Sequence, residues 1–254
     1  MRKIALWMLG FITAVQAEAQ QKPHYTQYVL NQYIINPALT GIENYTDIKL
    51  SHRHQWVGIE DAPVTSYVTI HTALGKKDYR TSATSFGMDG ENPRGKSYWE
   101  DYTAPEPHHG IGLQVINDRT GPINNFSANA TYAYHIGISP RTSLSAGFGA
   151  GFSRLSLDPS KLTIYNTSFD PAIFGTGSIN RLKPDLNAGL YLYSADFFLG
   201  LSAKQLLPQN IDFSNNAIKP QDSRMVPHFF ATAGYRFLAG ENFNIIPSVM
   251  VKYL

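Results

Sequence analysis

Three groups of residues have the types and spacing to do chemistry. Gly147-x-Gly149-x-Gly151 has the glycine spacing of a phosphate-cradling loop, His52-x-His54 places two imidazoles on one strand face where they could chelate a metal, and Ser, His and Asp are all present. Each chemistry needs more than this. A dinucleotide loop needs a strand before its glycines, a helix opening after them and an acidic partner about 20 residues on. The histidine pair has no third ligand nearby. No G-x-S-x-G elbow and no H-E-x-x-H string occurs in the chain. Asp118-Arg119 reads as a solvated pair in a turn, contributing little. The expectation is therefore no catalytic residue, no cofactor and no metal.

The elements that carry these residues explain them better. In Arg141 to Leu155, Thr142, Leu144, Ala146, Phe148, Ala150 and Phe152 alternate with Ser143, Ser145, Gly147, Gly149, Gly151 and Ser153. The period is 2 and it runs straight through the glycines, so they belong to a strand with one greasy and one small, polar face. Glycines on one face permit curvature or close packing inside a barrel. The run exceeds the usual soluble strand of about 5–6 residues and suits the ~9–11 needed to cross a bilayer with a tilt.

The chain opens with Met1-Arg2-Lys3, an apolar run from Ile4 to Val15 and the small-residue site Ala17-Glu18-Ala19. That is the pattern of a secretory signal peptide over residues 1–19, with cleavage expected after Ala19. Export without any cysteine leaves neither disulfides nor a lipoprotein anchor. Once Arg2, Lys3 and Glu18 are removed, 19 basic and 18 acidic side chains remain in 235 residues. Such a balance gives no electrostatic argument for nucleic acid. No later apolar run approaches about 18 residues, so a membrane protein of this sequence must be a barrel.

Residues 20–46 are aromatic and Asn/Gln-rich without clean alternation, and read as an N-terminal arm or a plug for the lumen. From 47 to 254 the reading is an antiparallel meander barrel. Its strands are expected at Asp47–Gln55, Val64–Leu74, Gly110–Ile116, Phe126–His135, the stretch above, Leu186–Tyr193, Phe197–Lys204, His228–Phe237 and Phe243–Tyr253. The first places Ile48, Leu50, His52 and His54 on one face. Trp56 closes it as an interfacial aromatic, and the histidine pair reads as interfacial beside it. Asn117–Pro122 reads as a turn, 75–108 as a long insert, and 156–184 and 205–226 as long loops.

Loop lengths supply an orientation. Turns at Ser139, Ser194 and Ala239 are tight, whereas the loops at 156–184 and 205–226 are long, and outer-membrane barrels keep short turns in the periplasm. By strand parity the insert 75–108 then hangs on the periplasmic side, toward a partner there. Nine strands are legible, whereas single-chain bacterial barrels close on even numbers. The expectation is that residues 20–46 or the insert hold further strands, or that further strands lie beyond Leu254.

The segments HYTQYVLNQYIINPALTG (24–41), RHQWVG (53–58) with Ala62-Pro63, GIGLQVINDRTGPI (110–123), YAYHI (132–136), LSAGFGAG (144–151), SKLTIYNTSFDPAI (160–173) and PSVMVKY (247–253) together resemble the PorP/SprF family of type IX secretion proteins of Bacteroidota. The resemblance recurs in order over the whole mature chain. It implies a non-enzymatic outer-membrane barrel that assists export or surface attachment of particular proteins, including gliding adhesins. Implied partners are a secreted substrate or its C-terminal signal domain, periplasmic ring proteins of the same system and outer-membrane lipid. It also implies further strands beyond PSVMVKY and, from the length of the insert, a SprF-like, substrate-specific member. The family-like motif and partner-binding candidates are Asn36, Pro37, Gly41, Arg53, Gln55, Trp56 and Pro63. For each the alternative is structural: turn geometry for Pro and Gly, an interface anchor for Trp56, an internal hydrogen bond for Arg53. An outer-membrane porin or solute transporter is the competing function, and it calls for a wet, charged lumen, where the inward face reads as rich in Gly, Ser and Ala.

Overall fold

The computed structural model describes residues 28–76, 102–158, 161, 179–207, 209–210, 224–239 and 243–253. The signal-peptide reading and most of the insert lie outside the described residues. Nine strands form one sheet: β1 (Asp47–His54), β2 (Val64–Leu74), β3 (His108–Thr120), β4 (Ile123–Ser139), β5 (Thr142–Leu157), β6 (Ile179–Ser194), β7 (Phe197–Lys204), β8 (His228–Tyr235) and β9 (Ser248–Tyr253). Each pairs antiparallel with the next in sequence, an uninterrupted meander with β1 and β9 at its two ends. No helix among the described residues is long and apolar enough to cross a membrane.

The sheet is inverted relative to a soluble protein. Leu50, Val68, Val115, Ala128 and Phe152 stand in register across β1 to β5 on one face. Leu50, Phe152, Leu190, Leu201 and Val251 are among the exposed large apolar side chains of that outward face. Thr69, Gln114, Asn129, Ser145, Asn187, Ser202 and Thr232 point the other way and are buried. Only a solvent as apolar as lipid makes this polarity favourable, so the strands read as spanning a bilayer. In β5 the predicted greasy face is outward, and Ser143, Ser145, Gly149 and Ser153 are buried.

Several boundaries move. β3 runs through Thr120, leaving Gly121-Pro122 as the turn, because Asn117 and Asp118 keep their pairing to β2 and Thr65 Oγ1 donates to Asp118 Oδ1 at 2.5 Å. Asp118 and Arg119 are therefore neighbours on a strand, pointing to opposite faces, and are not an ion pair. β5 extends to Leu157 and β6 begins at Ile179, within the segment read as a loop, since polar residues and Pro184 mask a strand whose inward side is polar. His108, assigned to the insert, opens β3. The last expected pair is broken at Arg236 and Ile246-Pro247, with the short bridge Phe237–Leu238 to Asn244–Ile245 beyond it.

Candidate functional site

Residues 28–46 pack against the inward face as three single-turn 3₁₀ helices, Tyr28–Leu30, Gln32–Ile34 and Pro37–Leu39. Asn36 starts the third: its Oδ1 accepts from Ala38 N–H at 2.9 Å, and Pro37 takes the first helical position, where no N–H is needed. The Asn36 amide then donates to Leu190 O at 3.0 Å and Leu201 O at 3.3 Å, binding the segment to β6 and β7. Tyr33, Ala38, Leu39 and Ile42 bury against Tyr191, Tyr193 and Phe198.

Turns this short leave most of their carbonyls without backbone partners, and residues 33–43 are buried away from bulk water. Wall side chains do so instead. Gln114 donates to Tyr33 O at 2.6 Å, Lys204 to Ile34 O at 2.7 Å, Ser202 to Ile35 O at 2.9 Å, Ser145 to Ala38 O at 2.6 Å and His135 Nε2 to Thr40 O at 2.8 Å. Lys76 Nζ, just after β2, donates to Ile42 O at 2.7 Å. The inward polar residues of the sheet thus read as a mould for one particular backbone.

Three histidines complete it around Thr40-Gly41. His71 Nδ1 accepts from Gly41 N–H at 3.2 Å, so its proton is on Nε2, 3.3 Å from Asp47 Oδ2. His135 needs the proton on Nε2 for Thr40 O, leaving Nδ1 to accept from Tyr193 Oη at 3.1 Å. His108 stacks on His135 with centroids 4.5 Å apart, and its two ring nitrogens face Glu106 O at 2.9 Å and Gly41 O at 3.2 Å. Ser145 Oγ lies 3.5 Å from His135 Nε2, yet this is no nucleophile and base, because both donors are aimed at carbonyls of the 28–46 segment.

Close approach is the other requirement. Gly41 has φ +75, and a Cβ on Gly147 would stand 2.6 Å from Ala38 Cα. A Cβ on Gly189 would strike the Asn36 side chain, and one on Gly110 would strike Thr40 O. Gly147, the first glycine of the β5 run, therefore provides a seat for Pro37-Ala38.

Of the residues singled out from sequence, Asn36, Pro37 and Gly41 come together in this segment. Arg53, Gln55, Trp56 and Pro63 lie at the opposite end of β1. There Gln55 N–H donates to Pro63 O at 3.0 Å, closing a turn on which Trp56 is 68% exposed at φ +49. Arg53 is inward, attracting Asp118. His52 and His54 face outward, with His52 Nδ1 2.8 Å from Ser66 Oγ. Sequence reasoning missed His71, His108 and His135, although their alternation with apolar residues marks each as inward. The inward face is also more ionic than its Gly, Ser and Ala content implied: Asp47, Lys49, Asp118, Asp185 and Lys204 all lie on it.

No curated protein and no solved structure matches the chain. The family described as type IX secretion system membrane protein PorP/SprF matches residues 17–254. With an inverted meander whose polar face is moulded around the segment before it, and this match over nearly the whole length, the chain belongs to the PorP/SprF family of type IX secretion system membrane proteins.

Proposed function

We propose that the protein is an outer-membrane barrel that holds, and does not conduct, particular secreted proteins, assisting their export or surface attachment; gliding adhesins are the expected class. The observation that carries this reading is the set of plug carbonyls bonded to wall side chains from β3, β4, β5 and β7. A segment held at so many points favours a lumen that stays filled during function. It disfavours the solute-transport alternative, which needs an open, wet channel.

In this reading the tight turns at Pro140-Arg141 and Ala195-Asp196 face the periplasm, and the long connections after β5 and β7 face outward. The 75–107 connection joins the periplasmic ends of β2 and β3; Ala104 N–H donating to Pro140 O at 2.8 Å ties its exit to the β4–β5 turn. Its proposed partner is a periplasmic ring component. The turn carrying Gln55, Trp56 and Pro63 lies at the outer end, where substrate would be engaged.

The test compares surface and culture-medium proteins of wild-type and deletion strains. Loss of one or two large exported proteins is expected. Loss of the whole exported set would make the protein a core component, and an unchanged set would overturn the secretion reading in favour of solute transport.

A further inference from the structure

The β1–β2 turn carries an apolar tip that the rest of the fold leaves uncovered. Trp56, Val57 and Ile59 are each more than half exposed, while Ala62 at the base of the turn is buried. The tip is held in place. Gln55 N–H donates to Pro63 O at 3.0 Å and Ile59 N–H to Trp56 O at 3.1 Å. Gly121 N–H in the β3–β4 turn donates to Asp61 O at 3.1 Å, Asp158 N–H just past β5 donates to Pro122 O at 2.9 Å, and Lys161 pairs with Asp61. Three connections are thereby tied together around the base of the tip. Trp56 itself has φ +49, a left-handed state that a residue with a side chain disfavours and that these bonds must hold.

Lipid does not account for the exposure. The last wholly apolar row of the outward face across β1 to β5 runs through Leu50, Val68, Val115, Ala128 and Phe152. The next row toward the turn holds His52, Ser66, Asn117 and Arg154, and the one after it His54, Arg119, Asn124 and Ser156; only Phe126 and Val64 are apolar among them. Trp56 comes six residues after Leu50. That is about 20 Å of extended chain, or about 15 Å of height at a strand tilt of about 40°. A headgroup layer is about 5–8 Å deep on each side of the bilayer, so the tip stands clear of it.

A second copy of the chain does not fit either. Barrels in one membrane meet wall to wall, whereas this tip lies past the end of the wall. Around it stand exposed Glu60 and Arg119 and the Asp61–Lys161 pair, charges of both signs. An apolar centre built on a tryptophan, ringed by polar groups of mixed sign, has the anatomy of a protein docking point. Because the loop is already fixed, little freedom is lost when a partner closes on it.

We infer that Trp56, Val57 and Ile59 form the docking point for an exported protein that offers an apolar pocket wide enough for an indole. The inference rests on the export reading and the orientation proposed above, and adds which side chains make the contact and what chemistry receives them.

The experiment puts the photo-crosslinker benzoylphenylalanine in place of Val57 in cells, beside a second strain carrying Trp56→Ala with Ile59→Ser. Irradiation is expected to yield an adduct with an exported protein whose surface level falls in the deletion strain. The double variant is expected to lower the surface level of that protein by about tenfold or more, the scale of a lost hot spot, with the barrel present in the membrane at its usual amount. An adduct with lipid alone, with a second copy of the chain or with a periplasmic protein would overturn the inference, as would no adduct. So would a double variant present at the wild-type amount that displays the exported protein as wild type does. Should the double variant fail to reach the membrane, the adduct decides. An unchanged exported set in the deletion strain would instead sink the export reading, whereas a changed set without the adduct sinks the docking point alone.

Discussion

Gly41 and Gly110 touch backbone to backbone: a Cβ on Gly41 would stand 2.5 Å from Gly110 Cα, and one on Gly110 would run into the Thr40 carbonyl. The contact lets the Thr40-Gly41 end of the inward-packed segment lie flat on β3, where His108 and His71 reach the Gly41 peptide.

Gly110→Ala is therefore expected to destabilise the fold by about 1–3 kcal/mol through overpacking. Gly137→Ala is the comparison, since its Cβ would make only an ordinary 3.5 Å contact with Ala104. Denaturant midpoints of the two variants in detergent check this; equal midpoints would refute the seating argument.

Thr40 and Thr131 offer a lock. Their Oγ1 atoms are 3.0 Å apart and the chain has no native cysteine, so Thr40→Cys with Thr131→Cys places two sulfurs within bonding reach. Cells with the oxidised pair are expected to export the same proteins as wild type. Export lost on oxidation and restored by reductant would mean that the segment must leave the lumen, and the holding reading would fail.

Tyr33 predicts a pH dependence. Burial pushes its hydroxyl up to about 12, against the opposing pull of its 2.5 Å hydrogen bond to Thr131. A raised folded value means this contribution is fully present below the unfolded value of about 10 and disappears as pH climbs toward the folded one. Tyr33→Phe should be less stable than wild type by about 1 kcal/mol at pH 8, with the gap closing above pH 10. A gap that stays constant to pH 12 would count against the buried hydroxyl.

The outward face makes a prediction by depth. Leu113→Arg, in the apolar band, should cost about 2–4 kcal/mol of folding into liposomes, whereas Asn117→Arg, toward the rim, should cost about 0–1 kcal/mol. Similar costs at both positions would mean that the face does not meet lipid in this register.

Alternation along single strands was enough to establish much of this protein. Leu144 to Phe152 against Ser145 to Ser153 shows which face is apolar, and the same period assigns Ile48 and Leu50, or Phe126 and Tyr132, to that face, because side-chain direction in a strand depends only on parity. Parity also places the histidines inward. What it cannot supply is their target. His71, His108 and His135 converge on Thr40-Gly41 from three strands, at separations of 30, 67 and 95 residues. Turn chemistry misled at Asn117–Thr120 and at Lys183-Pro184: Asp118, Thr120 and Lys183 have inward parity, where polar residues are ordinary lining, while Asn117, Arg119 and Pro184 lie on the outward side toward the strand ends. The glycines of β5 were legible as a small face, but only the tertiary structure decided that Pro37 and Ala38 sit against Gly147, because close backbone contact is a property of two distant segments together and leaves no period in either.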